Sequence, residues 1–254
     1  MSRWAFGIEY DGRHYCGWQQ QSGLRSIEGA LAEAIGHVAD HPVELVCGGR
    51  TDAGVHAIGQ VVHVDVKAIR SARAWVLGTN AQLDRTLSVS WAVPVADFFH
   101  ARFSALRRHY RYTIFNRSTR SAWHADHTSW IAAPLDASVM QQAAEYLVGE
   151  HDFSAFRASE CQSRSPVRRV DRLTVQREGE LVHIDIAANA FLHHMVRNIA
   201  GLLIEVGRGV RSVESVGEVL IGRDRRRSAP TAAAEGLCLR AIDYPPAFGL
   251  PLPV

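Results

Sequence analysis

The chain has 254 residues, 47% of them hydrophobic and 21% charged, with a formal net charge of +2, the balance of a globular protein with one large domain or two small ones. No run approaches the roughly 18 consecutive apolar residues that a membrane span needs, and residues 1–6 carry no signal-peptide pattern. Cys16, Cys47, Cys161 and Cys238 are scattered with no C-x-x-C pair, which argues against a zinc ribbon or a disulfide framework and fits a reducing, cytoplasmic compartment.

In chain order, Trp4, Phe6, Ile8 and Tyr10 alternate as on a half-buried strand, and Asp11-Gly12-Arg13-His14 reads as a turn. Ser26 is an N-cap for an amphipathic helix whose Ile27, Leu31, Ile35 and Val38 recur at helical spacing until Asp40-His41-Pro42 ends it. Residues 43–47 and 61–66 are β-branched and read as strands. The loop between them begins Gly48-Gly49-Arg50-Thr51-Asp52-Ala53-Gly54-Val55-His56. A short helix capped by Ser71, a strand over 86–95 and a strand over 107–116 follow; on the last, Arg108, Tyr110, Tyr112 and Ile114 share one face. Asp136 caps a helix that ends at Gly149, and residues 167–176 and 181–187 form a hairpin around Glu178-Gly179. A long helix opens at Phe191 with Val196, Ile199, Ala200 and Leu203 on its apolar face, and a short helix covers 213–220. Arg223 to Arg227 form a basic turn, a strand runs to Tyr244, and a proline-rich, irregular tail covers 245–254. Strands and helices occur in both halves, with a break near 100–107, so the expected class is α+β with subdomains at 1–105 and 106–254.

The glycine-punctuated loop is the chemical focus. Gly48, Gly49 and Gly54 let the backbone take positive φ and approach a ligand closely, and inside that frame sit one carboxylate, Asp52, one guanidinium, Arg50, and one imidazole, His56. The whole nonapeptide, followed by Gly59-Gln60-Val61, resembles the signature loop of the tRNA pseudouridine synthase I family. Tyr10-Asp11-Gly12 with Tyr15-Cys16-Gly17-Trp18-Gln19 resembles that family's N-terminal pattern, and Arg108-His109-Tyr110-Arg111-Tyr112 resembles its second motif. Further strings that resemble the family are His151 to Phe156, Asn189 to Asn198, and Glu235-Gly236-Leu237, although many relatives carry a proline before that glycine where this chain has Ala232-Ala233-Ala234-Glu235.

The resemblance covers nearly the entire chain and implies a specific set of roles. Asp52 would be the catalytic nucleophile, Tyr110 would lie against the target base, and Arg50, Arg197 and Leu237 would bind substrate, with Tyr112 left to the core. It implies two related subdomains, each a mainly antiparallel sheet with helices on one face, with the active cleft between them. It also implies a homodimer, and as substrate uridines 38, 39 and 40 in the anticodon stem-loop of tRNA.

Arginine distribution fits a polyanionic partner. Lys67 is the single lysine; Arg102, Arg107, Arg108, Arg111, Arg117 and Arg120 face only Asp126 between residues 101 and 127, and Arg164, Arg168, Arg169, Arg172 and Arg177 face only Asp171 between 161 and 177. Such clusters point to a nucleic-acid groove, and Arg107, Arg108, Arg168 and Arg169 are the expected RNA contacts. No metal site is expected: the histidines include no H-E-x-x-H, and the adjacent His193-His194 point to different sides of a helix. Converting uridine to pseudouridine oxidises nothing and releases no group, so no cofactor is expected. Two other classes stay open on the residues alone: an RNA-binding module without turnover, and a hydrolase pairing Asp52 with a second carboxylate such as Asp152.

Overall fold

The structure, a computed structural model, describes residues 1–251. The chain divides into two compact units, one of Met1–Arg108 with the chain from Cys238 onward, the other of His109–Leu237. Both combine strands and helices, as an α+β fold requires.

In the first unit, β1 (Ser2–Tyr10) pairs antiparallel with both β3 (His56–Val66) and β4 (Leu87–Val95). The short β2 (Val46–Cys47) lies antiparallel to β3, and β10 (Leu237–Asp243) runs parallel to it. Helices α1 (Ile27–Ala39) and α2 (Ala72–Asn80) begin where the hydroxyls of Ser26 and Ser71 accept from the Gly29 and Ala74 N–H groups. Trp75 of α2 packs fully buried against Trp4 and Phe6 of β1. Alternation along β1 therefore marks the helix-facing side correctly, yet the strand is not half-buried. Ala5, on the opposite face, clusters with Val61, Phe99 and Ala101, and the Trp91 indole fills the space beside Gly7, 2.1 Å from where a Cβ would stand. Residues 96–106 fold across that face and close it, which an alternating pattern alone does not reveal.

In the second unit the strand order is β5 (Arg107–Asn116), β9 (Leu181–Ala188), β8 (Val167–Glu178) and β7 (Gly149–Asp152). A three-residue β6 (Ser129–Ile131) lies parallel to β5. The hairpin of β8 and β9 closes with Glu178 opposite Leu181, and Gly179 takes φ +61° in the turn. Helix α3 (Ala137–Ala144) starts at Asp136, whose carboxylate accepts from the Ser138 and Val139 N–H groups, but it ends well before Gly149. Gly149, at φ +110°, opens β7 instead.

Helix α4 (Met195–Gly207) is the apolar centre of this unit: of its 13 residues only Arg197 and Glu205 are not buried. It packs on α3 through Gly207, where a Cβ would come within 2.6 Å of the Met140 sulfur. The helix begins at Met195 rather than at Phe191, because His194 adopts a left-handed conformation, φ +61°, and closes the preceding turn. A short α5 (Ser215–Gly222) follows. The expected boundary placed all of 106–254 in the second unit. The last strand instead returns to the first, with Cys238 and Leu239 beside His56 and Ala57 of β3. In the expected irregular tail, Pro246–Phe248 form one 3-10 turn, and residues 252–254 lie outside the described residues. Among the described residues, no helix is long and apolar enough to cross a membrane.

Candidate active site

The Asp52 loop is held from several sides. Its glycines open a turn in which the Val55 N–H donates to the Asp52 carbonyl at 3.2 Å and Gly54 takes φ +79°, the positive value that the third position of such a turn demands. The Trp18 N–H donates to the Thr51 carbonyl at 3.0 Å, and the hydroxyls of Tyr10 and Thr51 pair at 2.8 Å. Fully buried Gln60 accepts from the Gly49 N–H at 3.2 Å and returns its own N–H to the Gly49 carbonyl at 2.5 Å. Side-chain bonds of this kind satisfy backbone groups that an irregular segment cannot satisfy within itself.

Close approach completes the frame. A Cβ on Gly12 would sit 2.0 Å from the Val55 carbonyl oxygen, and one on Gly17, at φ +87°, would meet the Thr51 carbonyl at 3.0 Å. The Gly12 N–H donates to His56 Nδ1 at 3.3 Å, and an Asp11 carboxylate oxygen stands 3.3 Å from the same nitrogen. Burial works to raise the Asp11 pKa, but hydrogen bonds from Arg13 outweigh it and hold the carboxyl at about 2. The turn expected at residues 11–14 is therefore part of the scaffold of the Asp52 loop, and Tyr10 and Gln60 are supports that the sequence pattern does not announce. Each is a polar group on a buried face of its strand, where it calls for an internal partner. Asp52 itself is half-buried and Arg50 exposed.

Arg108, expected to contact RNA, has a different place. It is 8% exposed, and its guanidinium donates to the Gly48 carbonyl at 3.1 and 2.8 Å, to the Arg102 carbonyl at 2.7 Å and to the Ala105 carbonyl at 3.4 Å. A planar fork of donors can clasp several carbonyls at once, so this arginine ties the head of the Asp52 loop to residues 102–105. Arg107 is exposed, 4.0 Å from an Asp243 carboxylate oxygen.

The second unit supplies the other expected groups. Tyr110 is 8% exposed and meets Phe191 edge-on at 5.0 Å. Tyr112 is fully buried and donates to the Ala233 carbonyl at 3.0 Å, as a core tyrosine should. Arg197 donates to the Ala232 carbonyl at 2.8 Å, and the Ala232 N–H returns to the Arg197 carbonyl at 3.1 Å. Beside it, fully buried Asn198 donates to the Phe156 carbonyl at 2.8 Å and accepts from Arg225 at 3.0 Å and from the Thr231 hydroxyl at 2.7 Å. The basic turn thus divides: Arg225 is partly buried and bonded inward, while the Arg226 side chain is 91% exposed. Leu237 is buried, and its N–H closes a turn on the Ala234 carbonyl at 2.9 Å, so the turn forms without the proline many relatives carry.

The remaining candidates sit on β7 and β8 or beside them. Arg169 is exposed and bonds Asp171 at 2.9 Å. Arg168 is only partly exposed and bonds the Ser163 hydroxyl at 2.6 Å and the Ser165 carbonyl at 2.9 Å, so much of its donor capacity orders the loop before β8. Asp152 accepts from the Ser154 N–H and hydroxyl and pairs with Arg223 at 3.3 Å. Burial would raise its pKa, yet those partners lower it, a poor setting for the protonated acid that a two-carboxylate hydrolase needs.

A family model described as tRNA pseudouridine synthase matches residues 8–104 and 143–245. The chain is 54% identical over 249 residues to the tRNA pseudouridine synthase A of Photobacterium profundum, covering 98% of this chain and 95% of that one. It is 54% identical over 248 residues to that of Methylococcus capsulatus, with 98% and 92% covered, and 47% identical over 253 residues to that of Paraburkholderia xenovorans, with 100% and 94% covered. A chain in the solved structure titled "Crystal Structure of a Cbf5-Nop10-Gar1 Complex" aligns over 92% of this chain and 57% of that one at 11% identity, but its TM-score of 0.36 carries no argument. On the family model and on relatives matched over nearly their full length, the chain belongs to the tRNA pseudouridine synthase family and is an RNA-modifying isomerase.

Proposed function

We propose that the chain converts uridine to pseudouridine at positions 38, 39 and 40 of the tRNA anticodon stem-loop, with Asp52 as nucleophile. The carrying observation is the Asp52 loop: a half-buried carboxylate on a backbone fixed by Tyr10, Gln60 and Arg108. Prepositioning of a reacting group on a rigid frame is a large part of what a catalyst supplies. The reaction breaks N1–C1′, turns the uracil and joins C5 to C1′; a proton leaves C5 and one arrives at N1, so the balance needs no oxidant and no co-substrate. Because the reacting atoms are inaccessible in a stacked stem, the nucleotide is flipped out at a cost of a few kcal/mol. Stacking on Tyr110 and phosphate contacts from exposed arginines such as Arg107 and Arg169 offset that cost. Arg50, Arg197 and Leu237 bind the flipped nucleotide. The working form in this reading is a homodimer in the cytoplasm, where the four free thiols stay reduced.

The test is single-turnover tritium release from C5-labelled uridine in tRNA, with saturating enzyme, for the wild type and Asp52→Asn. The variant keeps the side-chain shape and removes the charge. It is expected to fold, to bind tRNA within about tenfold of the wild type (about 1.4 kcal/mol) and to release no tritium. Product at more than about one-hundredth of the wild-type rate, a barrier change below roughly 2.7 kcal/mol, would refute the nucleophile. Binding by the wild type without release would leave an RNA-binding module, and a free base or cut strand would mean hydrolysis.

A further inference from the structure

Residues 96–106 are fixed from below and present exposed Phe98, Phe103 and Leu106 beside charged Asp97 and Arg102. Phe99 and Ala101 are fully buried. The Ala101 N–H donates to His63 Nδ1 at 3.1 Å, and its carbonyl accepts from the Tyr244 hydroxyl at 2.6 Å. The Arg3 guanidinium donates to the Asp97 and Phe99 carbonyls, and the Ser104 N–H closes the turn on the His100 carbonyl at 2.8 Å. On this rigid base the Phe103 ring is 76% exposed. His100 lies beside it at 4.3 Å and 32°, and the exposed Arg102 guanidinium stands 5.5 Å from its centroid.

An aromatic ring held out to solvent in one orientation, beside a guanidinium and an imidazole, has the composition of a base-stacking platform. Phe98 and Leu106 of the same segment are exposed as well, but Phe98 lies against Phe248. The group over the Phe103 ring is the Arg102 guanidinium, whereas the centre of a protein-docking surface is depleted of charge. The ring is also mechanically joined to the Asp52 loop: one nitrogen of Arg108 donates both to the Arg102 carbonyl, next to Phe103, at 2.7 Å and to the Gly48 carbonyl at 2.8 Å. A base stacked on Phe103 would thereby be held in fixed register with the backbone that carries the carboxylate.

We propose that Phe103, with Arg102 beside it, is a stacking subsite for a nucleobase of the RNA other than the uridine undergoing reaction; this rests on the tRNA reading above. The subsite reads no sequence, since every base has a stacking face. It adds affinity and orients the strand.

Phe103→Ala, Phe103→Leu and Phe103→Tyr separate stacking from plain apolar contact. Direct tRNA binding, sedimentation and melting are measured for each beside the wild type. Ala and Leu are expected to bind tRNA about tenfold more weakly, with Tyr recovering most of the loss. Melting midpoints should be unchanged for so exposed a ring, and the slope of log K against log salt should stay at the wild-type value because the ring carries no charge. Leu binding as well as Phe, or Ala binding as the wild type does, overturns the subsite. A lighter sedimenting species with Ala overturns it as well, by making the ring a contact between copies of the chain. Failure of the wild type to bind tRNA at all sinks the wider reading and this inference with it, and is told apart by that control.

Discussion

The Asp52 loop and the first turn of α4 each present a charged group, Asp52 from irregular backbone and Arg197 from a helix, and they are held by different means. Around Asp52, support comes from far along the chain: Tyr10, Trp18, Gln60 and Arg108 each reach the loop, and Gly12 and Gly17 pass against its backbone. Around Arg197, beyond its own pair of bonds with Ala232, support is concentrated in its neighbour Asn198, which gathers Phe156, Arg225 and Thr231 on one buried amide. Distributed support resists the loss of any one hydrogen bond but tolerates no added volume. A single amide hub is vulnerable to its own removal, because the Phe156 carbonyl, Arg225 and Thr231 each lose a bond together.

The largest expected effect breaks the first arrangement. Gly12→Ala puts a methyl where the Val55 carbonyl oxygen lies, 2.0 Å from the Cβ position, so the loop must move. Displacement of a reacting group by about 1 Å costs on the order of 100-fold in rate. The single-turnover rate should fall by about that factor while tRNA affinity stays within a few-fold. An unchanged rate would mean that the carboxylate does not depend on this backbone. Asn198→Ala comes next: stranding the buried Phe156 carbonyl and two part-buried donors should cost about 2 kcal/mol of stability, read from chemical denaturation. Its rate at a temperature where it is folded should drop less than that of Gly12→Ala. A reversed order of the two rates would make the α4 turn the more demanding frame.

How much of this was legible in the sequence differs between the two regions for the same physical reason. Local signals were read correctly: the Ser26, Ser71 and Asp136 caps, the period of α1, and the hairpin of β8 and β9. Signals that depend on distant segments were not. Clustering with other arginines suggests an RNA contact for Arg108, but it shares the face of Tyr110, Tyr112 and Ile114, the buried face of β5; an arginine on an apolar face calls for an internal acceptor, but sequence does not say which one. The pairing of β10 with β3 lies across most of the chain, and β6 is too short to alternate. The helix expected from Phe191 was stopped by a left-handed His194, a conformation that single-residue propensity disfavours.

The smallest predicted effect sharpens the comparison through pH. His63 is buried, and its ring accepts the Ala101 N–H. Burial, aided by the Arg3 charge, lowers its pKa to about 4. The folded state therefore binds fewer protons than the unfolded one between about 6.5 and 4. The stability this group contributes is fully present above the unfolded pKa and is lost as pH falls through that window. His63→Asn keeps an acceptor near Nδ1 without the titration, so its stability should decline less than the wild type's between pH 6.5 and 4 in denaturant melts. Parallel curves would remove His63 as the sensitive support.

The return of β10 to the first unit also decides the order in which the chain can fold as it is made. Residues 109–237 form one uninterrupted stretch, so that unit has all its strands once they have emerged. The first unit does not: β3 waits for Cys238 and Leu239 to pair beside His56 and Ala57. At roughly 5–20 residues per second, the interval between synthesis of β3 and of its partner is on the order of 10–30 s. The half of the protein that is synthesised first is therefore finished last, and through that interval β3 keeps an unpaired edge next to the aspartate loop, a stretch of nascent chain open to wrong pairing.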